Sequence, residues 1–128
     1  MGGFATEQGG DMPNPVLHFE IVSKDASRLH SFYSDVFDWK IDANNPMNYG
    51  LVDAGGEGIN GGIGGPMDES YPGHITFYVS VPDLDATLEK IESLGGKTVM
   101  PPSEIPGTDT TIAQFTDPAG NLIGLTKA

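Results

Sequence analysis

Apolar positions change their spacing along the chain in a regular order. Between Val16 and Val22, Leu17, Phe19 and Ile21 alternate with His18, Glu20 and Val22. That two-residue period is a strand whose faces differ. Asp25 is a candidate N-cap, and after it Leu29, Phe32, Tyr33, Val36 and Phe37 recur at i, i+3, i+4, i+7 and i+8. This predicts an amphipathic helix. Short strands are expected at 39–41 and 49–53, with a turn at Asn44-Asn45-Pro46 between them. Residues 55–65 hold seven glycines in eleven positions, and only Ile59 and Ile63 are large and apolar.

A second cycle follows. Ile75, Phe77, Val79 and Val81 alternate with His74, Thr76, Tyr78 and Ser80. Pro82 ends that strand and Asp83 caps a helix bearing Leu84, Leu88 and Ile91 on one stripe. Gly95-Gly96 is the left-handed stop. A strand at 97–100, a loop at 101–107 and a strand at 110–116 come next. Asp117-Pro118-Ala119-Gly120-Asn121 is a turn in which Pro fixes φ and Gly supplies φ > 0. The last strand is 122–126.

The order is βαβββ twice, an internal repeat. His18 and His74 are 56 residues apart, each on the first strand of its half. Gly62 and Gly124 are 62 apart, each on a fourth strand. Either half alone would leave one face of a sheet bare. Two sheets packed together, with a helix outside each, would give an α+β domain with a concave inner surface. Residues 1–14 are expected to be a flexible tail. A single domain spans 15–127, with module one at 15–65 and module two at 73–127.

Composition narrows the function. The 128 residues include no cysteine, which excludes disulfides, thiolate metal sites and a cysteine nucleophile. Six basic residues against 18 acidic ones give a net charge of −12. Nucleic acid and anionic membranes are therefore poor partners. No apolar run approaches the ~20 residues of a membrane span. The N-terminal residues lack the basic and apolar regions of a signal peptide, so a cytoplasmic location is expected.

Four stretches together resemble the vicinal oxygen chelate superfamily, which includes glyoxalase I, bleomycin-resistance proteins and extradiol dioxygenases. They are Leu17-His18-Phe19, then Phe32-Tyr33 with Val36-Phe37-Asp38-Trp39, then Gly73-His74-Ile75, and finally Asp117-Pro118-Ala119-Gly120-Asn121. The resemblance implies paired βαβββ modules forming a cupped mixed β-sheet with helices on the outside, and commonly a homodimer. It also implies a divalent metal ion held by side chains on the first and fourth strands. His18 and His74 match the first-strand metal ligands. The fourth-strand positions, usually Glu, are Gly62 and Gly124 here. Two neutral imidazoles without carboxylates make an under-charged site, so metal affinity is expected to be weak or absent.

Around that pair, Glu20 shares the strand face of His18 and is the candidate base, and Tyr78 shares the face of His74 and is a candidate hydrogen-bond donor. Each also has a bland reading, as a solvated or rim residue. Thr76 stands at the repeat position of Glu20, so the site would be asymmetric. Glu57 and His30 are expected at the surface. Arg28, the sole arginine, is expected outside the cup, which disfavours glutathione. Glycines at fourth-strand positions are expected to widen the cup.

The sequence therefore reads as a glyoxalase-like protein acting on a small organic molecule, with or without a metal ion. The alternative is a non-catalytic protein of the bleomycin-resistance type that sequesters a bulky, neutral or cationic compound.

Overall fold

Two strands from opposite halves of the sequence lie side by side at the centre of the molecule. The computed structural model describes residues 13–66 and 73–128. The expected tail at 1–14 falls outside them except for its last two residues. In chain order the elements are β1 (Val16–Val22), α1 (Ala26–Phe37), β2 (Lys40–Asp42), β3 (Gly50–Asp53) and β4 (Gly61–Gly64). They continue as β5 (His74–Val81), α2 (Leu84–Ser93), β6 (Lys97–Glu104), β7 (Thr111–Thr116) and β8 (Leu122–Lys127). All eight strands form one sheet in the order β2-β3-β4-β1-β5-β8-β7-β6. The α+β class is as the pattern predicts, and the mixed sheet is as the resemblance implies. The two halves do not pack as separate sheets, however. β1 pairs antiparallel with β5 and fuses them edge to edge, while β1–β4 and β5–β8 are parallel.

The register fixes which side chains share a face. Phe19 lies opposite Phe77, and Ile21 opposite Ile75. Phe19 and Ile21 pack with Ala26, Val52 and Ile63 beneath α1. Val79 and Val81, on the Phe77 face of β5, pack with Leu84, Leu88, Ala113 and Leu125 beneath α2. Both helices therefore cover the same side of the sheet. Among the described residues the opposite side carries no helix, and there the alternate set of β1 and β5 points: His18, Glu20, Thr76 and Tyr78.

Local chemistry explains most element ends. The Asp83 side chain accepts from the Ala86 amide at 3.0 Å, an N-cap as expected. Asp25 holds the N-cap position of α1, but its side chain makes no capping bond. Instead its amide donates to Ser23 Oγ at 3.1 Å. At the end of α2, Gly95 has φ 103° and the Gly96 amide donates to the Ile91 carbonyl at 2.9 Å. The expected loop at 101–107 is a correction, because β6 continues through Pro101 and Pro102 to Glu104. β6 is an edge strand, where proline is tolerated, and its pairing with β7 shifts register between Met100 and Ser103, across the two prolines.

Candidate functional site

The helix-free face collects polar side chains around one carboxylate. Glu20 Oε2 accepts from the Tyr49 hydroxyl at 3.0 Å, and Oε1 accepts from the Tyr78 hydroxyl at 3.3 Å. His18 Nε2 lies 3.0 Å from Tyr49 Oη, and Gln114 Nε2 donates to Tyr78 Oη at 3.2 Å. His74 Nε2 is 3.7 Å from Glu20 Oε1. Glu20 is thus the hub, and its side chain is only 15 % exposed.

Strand register explains who meets whom. His18 pairs with Tyr78, Tyr78 with Gly124, and Gly124 with Gln114, one row across β1, β5, β8 and β7. The His18 ring meets Tyr78 edge-on, with centroids 5.7 Å apart. His74 faces Val22 instead. The two histidines therefore stand four residues apart along the paired strands, about 13 Å of extended chain. Glu20 and Thr76 lie midway. The two imidazoles, matched by the resemblance to metal-ligand positions, flank Glu20 on this face. Thr76 turns away from the network and donates to the Leu122 carbonyl at 2.7 Å.

The glycines do not widen this face. A Cβ on Gly62 would collide with the hydroxyl end of Tyr49, and one on Gly124 with the ring of Tyr78. On Gly64 it would lie 2.6 Å from Tyr49 Cδ1. Tyrosine rings fill the space that the glycines leave. Tyr78 is consequently 5 % exposed, a buried residue and no rim residue. His30 is a further correction. Its Nε2 donates to the Ile63 carbonyl at 2.8 Å, so it packs under the helix and pins α1 to β4. Glu57 and Arg28 are exposed, as expected.

Burial sets the proton affinities. Desolvation lowers the pKa of His18, and the Glu20 charge only partly opposes it. Tyr78 is pushed up to about 12, first by burial and then by the nearby Glu20 charge. The same two causes, in the same order, raise Tyr49 further. At neutral pH the site therefore holds a neutral imidazole and two neutral phenols.

Beside His18 the helix-free face is open. A hollow of about 510 Å³ has His18, Leu51, Lys40, Asp42 and Asp53 among its walls. It extends from His18 toward β3 and β2 at the sheet edge.

A divalent ion does not fit the donor set. Among the described residues, no three His, Cys, Asp or Glu side chains come together as ligands. Glu20 has both oxygens hydrogen-bonded to phenols, and His18 Nε2 is committed to Tyr49.

Tyr49 and Gln114 were not singled out from sequence. Tyr49 had a readable signal, since Gly62 and Gly64 bare the same face of β4 next to it. Gln114 had none, because only the β7–β8–β5 register aligns it with Tyr78.

A sequence model of the Glyoxalase/Bleomycin resistance protein/Dioxygenase superfamily matches residues 16–125. The protein named "Putative glyoxylase CFP32" of Mycobacterium bovis is 29% identical over 116 residues, covering 85% of this chain and 44% of that protein. The chain thus spans less than half the length of that relative. A glyoxylase-like domain-containing protein of Didymella fabae is 34% identical over 96 residues, covering 64% of this chain and 73% of that protein. Among solved structures, methylmalonyl-CoA epimerase from Mycobacterium tuberculosis superposes with a TM-score of 0.64 at 21% identity, covering 88% of this chain and 86% of that one. A superfamily member from Vibrio splendidus gives 0.63 at 16% identity, covering 91% and 100%. At these identities the superpositions speak for the fold.

Proposed function

The chain belongs to the glyoxalase/bleomycin resistance protein/dioxygenase superfamily, and from that premise we propose that it binds a small carbonyl compound in the hollow beside His18 and moves a proton there. The supporting observation is the chain of hydrogen bonds from His18 through Tyr49 to Glu20, which starts at a wall of the hollow. Burial keeps His18 neutral at physiological pH, the state a general base needs. The imidazole takes a proton from the carbon next to the carbonyl. The electron pair moves onto the carbonyl oxygen, and the enolate recovers the proton on return. Glu20, the expected base, acts one step back: its charge, relayed by Tyr49, stabilises the imidazolium. Tyr78, whose hydroxyl accepts from Gln114, holds the other carboxylate oxygen. Small carbonyl compounds are also the ligand class to which the relatives' name, glyoxylase, points.

Sequestration of a cationic compound is the second reading. It is favoured by the net charge of −12 and by a half-buried carboxylate walled by aromatic rings.

Proton NMR in D₂O against a panel of α-keto aldehydes, their thiol adducts and acyl thioesters separates the two. The first reading expects exchange of the α-hydrogen of one compound class, reduced about 10²–10⁴-fold in His18→Ala. Exchange indifferent to His18→Ala overturns it. Tight binding of a cationic compound, with no exchange in any of the carbonyl compounds, replaces it with the second.

A further inference from the structure

We infer that Tyr49 is a positioning residue that locks His18 in its Nε2–H tautomer and leaves Nδ1 as the imidazole's lone-pair nitrogen. The inference deepens the proposed function and rests on it only for the use made of Nδ1. It follows from counting protons. A carboxylate accepts hydrogen bonds and donates none. Tyr49 has one hydroxyl proton, which goes to Glu20 Oε2 at 3.0 Å. Its oxygen can then only accept from His18 Nε2, also at 3.0 Å. The second phenol repeats the direction of flow. Tyr78 donates to Glu20 Oε1 and accepts from the Gln114 amide. Every proton in the network points toward Glu20, and no member can reverse alone.

The lock holds only if the Tyr49 ring cannot drift, and the backbone sees to that. The Asn45 side chain brackets the residue, its Oδ1 accepting from the Tyr49 amide at 2.9 Å and its Nδ2 donating to the Tyr49 carbonyl at 2.8 Å. The ring lies on Gly62 and Gly64, where any Cβ would displace it. The same arrangement leaves a proton on Nε2, so that nitrogen has no lone pair to offer a metal ion. Tyr49 on its glycine seat thus converts a metal-ligand position into an organic base.

Long-range ¹H–¹⁵N spectra of the full chain, recorded above pH 7, read imidazole tautomers directly. His18 is expected to show a pyrrole-like Nε2 and a pyridine-like Nδ1, unchanged by added Zn²⁺. Tyr49→Phe should turn this into a tautomer mixture. His30 is the internal control, because its Nε2 donates to a carbonyl that Tyr49 does not touch, and its signals should stay put. A pyridine-like Nε2 on wild-type His18 overturns the inference, and that measurement needs no variant. So does a folded Tyr49→Phe protein with an unaltered His18, or a Zn²⁺ shift at His18 Nε2. If Tyr49→Phe fails to fold, Glu20→Gln supplies a donor amide in place of an acceptor oxygen and should likewise mix the tautomers. A correct tautomer without hydrogen exchange would sink the proposed proton transfer while sparing the lock.

Discussion

Glu20 and Gly62 are cross-strand neighbours in the parallel pair of β1 and β4, and the missing side chain on Gly62 lets the Tyr49 hydroxyl reach the Glu20 carboxylate. The relation repeats on the other half. Gly124 lies beside Tyr78 across β8 and β5, and the Tyr78 ring occupies the bare position. Each glycine is thereby tied to one tyrosine, and both tyrosines to one carboxylate.

Gly62→Ala should destabilise the fold by about 1–3 kcal/mol, the usual cost of overpacking a filled site. The same methyl should cost much less in Tyr49→Ala, where the ring is gone. Chemical denaturation of the four proteins of this double-mutant cycle gives the coupling, expected at about 0.5–3 kcal/mol. Additive effects would mean that Tyr49 does not sit on Gly62. Gly62→Glu and Gly124→Glu, which would restore the family's carboxylates, meet the same two rings and should cost stability before they bind any ion.

His18 and Tyr78 predict opposite pH limits. A lowered pKa means that unfolded His18 binds a proton more readily than folded His18 does. Its contribution is therefore present above the unfolded value of about 6.5 and declines as pH falls below it through the folded pKa. Tyr78, raised to about 12, contributes fully below its unfolded value near 10 and loses that contribution as pH rises toward 12. Urea midpoints measured across pH should drop at both ends. His18→Gln should flatten the acid limb, and Tyr78→Phe the alkaline limb. An acid limb that survives His18→Gln unchanged would assign it to other groups.

We propose that a second copy covers the centre of the helix side. There α1 packs over β2–β4 and α2 over β6–β8. The seam strands between them expose Leu17 by 54%, Ile75 by 75% and Phe77 by 40%. A specific pair would bury about 1,200–2,000 Å² in total. Each copy carries −12, so the pair should loosen at low ionic strength, where mutual repulsion is unscreened. Light scattering should give twice 13.5 kDa at 0.15 M salt, and Ile75→Lys should halve that mass. A single 13.5 kDa species at every concentration and salt rules the pair out.

Periodicity determined the elements apart from the second half of β6, because a side chain's face in a strand or helix depends only on its place along that element. The alternation of His18 and Glu20 with Phe19 and Ile21 already separated the site face from the core face. Asp83 and Gly95-Gly96 marked the ends of α2 because their capping bonds run to residues a few places away. Tertiary structure decided what depends on register between distant strands. Pairing β1 with β5 set the histidines four residues apart along the seam and left Glu20 at its midpoint. Glycines at 62, 64 and 124 read as empty space, because nothing local says what will fill the gap. Only the approach of Tyr49 to β4, and of Tyr78 to β8, turned those gaps into seats. His30 likewise looked surface-bound until α1 settled on β4, where its ring found the Ile63 carbonyl. A hydrogen bond spanning 29 or 31 residues, such as Tyr49 to Glu20 or His18 to Tyr49, leaves no periodic trace, since its partners are joined by packing and not by the chain.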